Sequence, residues 1–167
     1  MKEIFERRSV RTYTDRDITP DEEERLLRAG MQAPSAGNER PWHFVVIRSR
    51  DTMQKINESQ PYAKMLEKAP LCIAVCGDRR AQSFPFDFWV QDCSAAIQNM
   101  LLEAEHLGLG GVWLGIAPVE DRMEAVHQLL ALPQGVRVFA LFALGHPAES
   151  RPQADRFDPS RIHFIEA

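Results

Sequence analysis

Two runs in this chain are too apolar to lie on any surface. Leu71 to Cys76 has no charged residue and Val136 to Leu144 carries only Arg137, and such near-continuous apolarity marks a strand covered on both faces. Shorter runs at His43 to Ile47 and Val112 to Leu114 read the same way. Helical patterns lie between them. Val90, Cys93, Ile97, Met100, Leu101, Ala104 and Leu107 recur at three and four residues, with Gly108 standing where a helix would stop. This spacing predicts a long, almost wholly buried helix. Thr19-Pro20-Asp21-Glu22 reads as an N-cap, a proline at the first helical position and a glutamate placed to complete a capping box, followed by Leu26, Leu27 and Gly30 at helical spacing. Val119 to Leu130 is a further amphipathic helix ending before Pro133. The alternation predicts an α+β sandwich, a mixed central sheet packed by helices. With no linker or repeat in 167 residues, it predicts one domain over 1–167.

Composition narrows the function. A net charge of -4 argues against nucleic acid as a main partner, since phosphate-backbone affinity needs Lys and Arg in excess on one face. No stretch reaches the apolar length of a membrane span, and Lys2, Glu3, Glu6 and Arg7 charge the N-terminus at once, so neither a membrane nor a secretory destination is expected. Cys72, Cys76 and Cys93 form neither a disulfide framework nor a CxxC pair, and read as buried core thiols in a reducing cytoplasm. The histidines show no metal-ligand spacing, and no metal is expected. G-x-G-x-x-G after a strand and G-x-x-x-x-G-K-[ST] are both missing; Gly108-Leu109-Gly110-Gly111 closes a helix and opens a strand, the reverse of the dinucleotide order.

Positive charge is local instead. Arg7-Arg8-Ser9-Val10-Arg11 puts three guanidiniums and a hydroxyl within five residues, and Arg forks suit phosphate oxygens. A cluster of this kind is either a solvated surface turn or an anion site. A second segment, Ala33-Pro34-Ser35-Ala36-Gly37-Asn38-Glu39-Arg40-Pro41-Trp42, joins a helix to a strand with turn chemistry throughout, and its backbone N–H groups and short polar side chains can face a ligand.

With these two segments, Leu107-Gly108-Leu109-Gly110-Gly111-Val112-Trp113-Leu114-Gly115 and Leu144-Gly145-His146-Pro147-Ala148 followed by Arg156-Phe157, the chain resembles the nitroreductase family of FMN-dependent oxidoreductases. The four places occur in the family's order and span nearly the whole chain. The resemblance implies a homodimer with FMN at the interface and NADH or NADPH as electron donor. Arg7, Arg8 and Ser9 match positions at the FMN phosphate and ribityl chain, and Arg156 closes on the phosphate from the other side. Arg11 matches a cation beside flavin N1 and O2, where positive charge favours the anionic reduced ring. Pro34, Ser35 and Asn38 match a loop that reaches the flavin of the partner subunit. Leu114 and Gly115 match the segment whose backbone approaches flavin N5, while Trp113 reads as core. Where Arg40 stands the family usually has Gln. Glu58, Tyr62 and Lys64 fall in a further stretch to which no role is assigned.

Ser83-Phe84-Pro85-Phe86-Asp87-Phe88-Trp89 carries four aromatics in seven residues. Phe84 and Phe86 are candidates for lining the substrate opening; the alternative is a hydrophobic staple and dimer contact. No side chain is expected to act as a catalytic acid, base or nucleophile, because the flavin performs the chemistry. The implied reaction passes hydride from NAD(P)H through flavin N5 to a nitroaromatic or quinone in a ping-pong scheme. Two alternatives are a flavin-storing or flavin-sensing protein without turnover, and a divergent relative with another acceptor.

Overall fold

The computed structural model describes residues 1–150 and 152–165. Its elements run α1 (Glu3–Glu6), α2 (Pro20–Met31), β1 (Trp42–Ile47), α3 (Arg50–Ser59), β2 (Leu71–Asp78), α4 (Trp89–His106), β3 (Gly110–Gly115), α5 (Glu120–Leu129) and β4 (Val136–Gly145). The strands form one sheet in the order β1-β2-β4-β3. Each neighbouring pair is antiparallel. The expected mixed sheet therefore reduces to one parallel bridge, Ser9 with Gly111. Apolar runs report that both faces are covered, and are silent on strand direction.

The two most apolar runs are the two central strands. All of β2 is buried, and β4 is buried but for Arg137. The edge strand β1 exposes His43 and half-buries Phe44 to Val46, because a neighbour is present on one side only. Helix α4 packs against all four strands, α2 packs on α4, and α5 packs on β4 with α3 beside it. The face of α4 that meets the sheet carries Cys93, Ile97, Met100 and Ala104, and the three cysteines are buried. Val90, Gln91 and Gln98 point outward, so in the single chain α4 is less enclosed than its apolarity suggested.

Local chemistry sets the helix ends as read. Thr19 caps α2 through a complete capping box with Glu22. Gly108 ends α4 in the left-handed region at φ 71°, with Leu109 N–H donating to Ala104 O at 2.8 Å. Helix α3 is not evident in the apolar pattern, since only Met53 and Ile56 of its ten residues are buried; its signal is Ser49, whose side chain accepts from Thr52 N–H.

In β3, Gly110 admits the N-terminal segment to the sheet edge and Gly111 makes room for Phe142. A Cβ on Gly110 would sit 2.7 Å from the side chain of Val10, and one on Gly111 would strike the ring of Phe142 and lie 3.0 Å from Ala143 O. Gly111→Ala should therefore cost about 1 to 3 kcal/mol by overpacking. A urea unfolding curve matching wild type would contradict it.

Candidate functional site

Arg7 leaves α1 in an extended conformation, φ -52° and ψ 130°, and the next residues run along β3. Val10 N–H donates to Gly111 O at 3.0 Å beside the Ser9 bridge. The buried Tyr13 hydroxyl donates toward Val10 O at 2.8 Å and lies 3.1 Å from Ala143 O, tying this segment to β4. Burial drives the Tyr13 phenol far above its ordinary range, which keeps it a neutral donor. The backbone of Ser9 and Arg11 is thus fixed to the sheet.

Three cations gather at the start of this segment. The guanidinium of Arg7 is pushed below its ordinary range, first by burial and then by the charges of Arg156 and Arg8, with Glu105 opposing. Arg8 donates from Nη1 to Phe5 O at 2.9 Å and Arg7 O at 2.7 Å, and from Nε to Pro152 O at 3.0 Å. It stitches the N-terminal segment to the C-terminal tail. Its buried Nη2 has no partner among the described residues. An unpaired buried donor beside mutually repelling guanidiniums is unfavourable until an anion arrives.

Along the sheet from this cluster, a cavity of about 390 Å³ is lined by Arg11, Trp113, Leu114, Gly115 and Tyr62, among others. Gly115 ends β3, and a Cβ there would meet nothing within 4 Å, so its backbone faces open space. Leu114 is buried beneath. Trp113, read as core, packs against the core with its ring edge-on to Phe139 at 5.4 Å, and its other side is half-buried at the cavity wall. The Arg11 side chain makes no hydrogen bond or ion pair among the described residues, while its N–H donates to Glu149 Oε1 at 3.0 Å. A cation and an open backbone edge thus share one cavity.

The loop after α2 is held elsewhere. Gly37, Asn38 and Arg40 take left-handed φ of 57°, 57° and 50°. Ser35 Oγ accepts from Arg40 N–H, and Ala36 N–H donates to Asp92 Oδ1, each at 2.9 Å. Glu39 accepts from Ser83 through both its N–H and its hydroxyl, and Phe84 sits over Gly37 so closely that a Cβ would come within 2.9 Å of its ring. Pro34 and Asn38 are exposed, and Ser35 is half-buried. Their neighbours Asp92, Ser83 and Phe84 do not line the cavity of Arg11 and Gly115. Within one chain the structure gathers Arg7, Arg8 and Arg156, and separately Arg11, Leu114 and Gly115, but leaves Pro34, Ser35 and Asn38 apart.

Asp92 was not singled out from sequence. It is a carboxylate on the buried face of α4, raised from its ordinary range by burial and by nearby Glu39. An acidic residue interrupting an apolar helical stripe was the available signal. The aromatic run divides. Trp89 is core, edge-on to Phe139 at 6.2 Å, whereas Phe84 and Phe86 are 43% and 64% exposed and meet Phe88 edge-on at 5.7 and 5.9 Å.

The model of the nitroreductase family matches residues 4–61 and 57–146. The chain belongs to the nitroreductase family. A protein of Archaeoglobus fulgidus named "Putative NADH dehydrogenase/NAD(P)H nitroreductase" is 47% identical over 166 residues, covering 98% of this chain and 95% of its own. A solved structure of the same name from Bacteroides thetaiotaomicron superposes with TM-score 0.94 at 41% identity, over 99% of this chain and 96% of the other. A structure from Desulfovibrio desulfuricans, solved in complex with FMN, gives TM-score 0.85 at 32% identity over 99% and 96%. Both superpositions cover this nitroreductase from the arginine cluster to the C-terminal tail. The match places the chain among NAD(P)H-dependent oxidoreductases.

The arginine cluster makes a direct prediction. Inorganic phosphate should raise the melting temperature of cofactor-free protein at constant ionic strength, because a ligand bound only by the folded state stabilises it. Arg7→Ala should abolish most of that shift while leaving the phosphate-free melting temperature unchanged or higher, since it removes a like-charge neighbour. Equal phosphate shifts in both proteins would place the anion elsewhere.

Proposed function

We propose that this nitroreductase is an FMN-dependent enzyme that passes reducing equivalents from NAD(P)H to a nitroaromatic or quinone, donor and acceptor using one cavity in turn. The observation that carries the reading is the run of the N-terminal segment along β3. It ends at one side in the unpaired Arg8 Nη2 and the Arg7 and Arg156 charges, and at the other in a cavity with Arg11 and the open backbone of Gly115. A phosphate dianion at one end and a flat ring at the other fit that arrangement.

Arg7, Arg8, Ser9 and Arg156 would hold the phosphate, with charge-assisted hydrogen bonds from the guanidiniums. Arg11 would place positive charge at the pyrimidine edge of the ring, and Leu114 and Gly115 would offer backbone near N5, where glycine permits close approach. When bound, FMN supplies hydride acceptance and release at N5. The protein's part is to bind, orient and tune, and no side chain is assigned a catalytic acid, base or nucleophile role.

A homodimer belongs to the same proposal. The loop of Pro34, Ser35 and Asn38 lies apart from its own chain's cavity, and a second copy would bring it to the ring, with Phe84 and Phe86 beside it at the substrate opening. Exposed apolar side chains at Val90, Phe157, Ile162 and Phe164 support such a partner. Static light scattering at micromolar concentration should give twice the chain mass; a flavin-loaded monomer would overturn the dimer.

The purified protein should be yellow and should bleach under anaerobic NADH or NADPH, then recolour on adding a quinone. Persistent colour under both donors would favour a flavin-storing protein. Arg7→Ala should weaken FMN binding roughly ten- to a hundredfold, the equivalent of about 1.5 to 3 kcal/mol for one charge-assisted contact. Arg11→Ala should instead retain FMN and lower its reduction potential. Equal loss of FMN in both variants, with potentials unchanged, would refute this division of roles.

A further inference from the structure

The stretch around Tyr62 and Lys64, which the sequence left without a role, borders two adjoining cavities. Beside the cavity of Arg11 and Gly115 lies another of about 530 Å³, and the two share Arg11, Lys64 and Met65. Its floor includes buried Tyr13, fixed by the hydrogen bonds of its hydroxyl. Lys64 opens and Lys68 follows a short 3-10 turn, Lys64–Glu67, which buried Leu66 anchors to the core.

Charge is what distinguishes this groove. Several cations elsewhere are paired, among them Arg25 with Glu103, Arg48 with Glu23, Lys55 with Asp51 and Arg79 with Asp87, whereas Arg7, Arg8 and Arg156 form the arginine cluster described above. The side chains of Arg11, Lys64 and Lys68 make no ion pair or hydrogen bond among the described residues. Two carboxylates also border the groove. Glu67 accepts from Asn57 Nδ2 at 3.0 Å, which draws it toward α3, and Asp15 remains at the rim. In a chain of net charge -4, a groove with a partly apolar floor and unpaired cations along it suits a ligand with planar rings and phosphates.

We propose that this groove is the subsite for the phosphates of the nicotinamide dinucleotide, held by Lys64 and Lys68 while the nicotinamide reaches the cavity at Gly115. The inference rests on the oxidoreductase reading for its donor, and adds residues that reading does not use. A neutral quinone or nitroaromatic would gain nothing from these lysines. A charged acceptor is the competing source of an anion.

The test is a titration of the purified protein with NADP+ and, separately, NAD+, which needs no turnover. The Lys64→Glu/Lys68→Glu double variant should bind NADP+ about tenfold or more weakly, and its affinity should depend less on salt than wild type's. Lys68→Glu alone, at an exposed lysine that lines the outer groove and not the cavity of Gly115, should weaken NADP+ binding in the same direction while its FMN absorbance and melting temperature match wild type. Unchanged dinucleotide affinity would overturn the assignment. So would a raised KM for anthraquinone-2-sulfonate with unchanged NADP+ and NAD+ binding, which would give the groove to the acceptor. Wild-type protein that binds NADP+ through these lysines yet shows no flavin bleaching would retire the oxidoreductase reading and leave the groove's assignment standing.

Discussion

Close approach between the N-terminal segment and β3 governs the layout of the molecule. Val10 lies where a side chain on Gly110 would be, and Gly111 makes room for Phe142 beneath. Ser9 and Val10 join the sheet edge, and Tyr13 locks the next turn by bonding backbone on two elements. A larger residue at Gly110 would push this segment off the edge. Arg7 and Arg8 on one side, and Arg11 on the other, would then lose their fixed separation. Buried apolar contact, not electrostatics, therefore sets where the charges stand.

The charges pull the other way. Arg7, Arg8 and Arg156 repel one another in a partly desolvated place, and one Arg8 nitrogen is buried without a partner. The fold tolerates this because Arg8 bonds three backbone carbonyls, which hold the N-terminal segment and the tail together despite the repulsion. Marginal stability makes such local tension affordable only in small amounts and where the surrounding core is firm. Here that core is the sheet with α4 across it.

Much of this was legible in the residues. The apolar runs located the strands because burial on both faces removes polar residues whatever the sheet's direction, which is also why the antiparallel pairing was not. The α2 capping box and Gly108 fixed helix ends through local chemistry alone. Helix α3 escaped notice because it buries only Met53 and Ile56. At the site, the arginine cluster could be read as a local motif, whereas its convergence with Arg156 depends on the tail folding back through Pro152. Trp113 packs against the core as its residue type suggests but stays half-covered at the cavity wall, and a buried acid such as Asp92 is meaningful only once Ala36 is seen beside it.

The loop from Ser35 to Arg40 is shaped by its main chain. Three left-handed residues turn it, and Arg40 takes part through its N–H, not its guanidinium, which is exposed. An arginine and a glutamine at that position impose the same demands on the backbone and leave the bond to Ser35 intact. Exchange between these two residues at position 40 is therefore invisible to the fold: the loop can keep its form while the chemistry displayed at its tip changes.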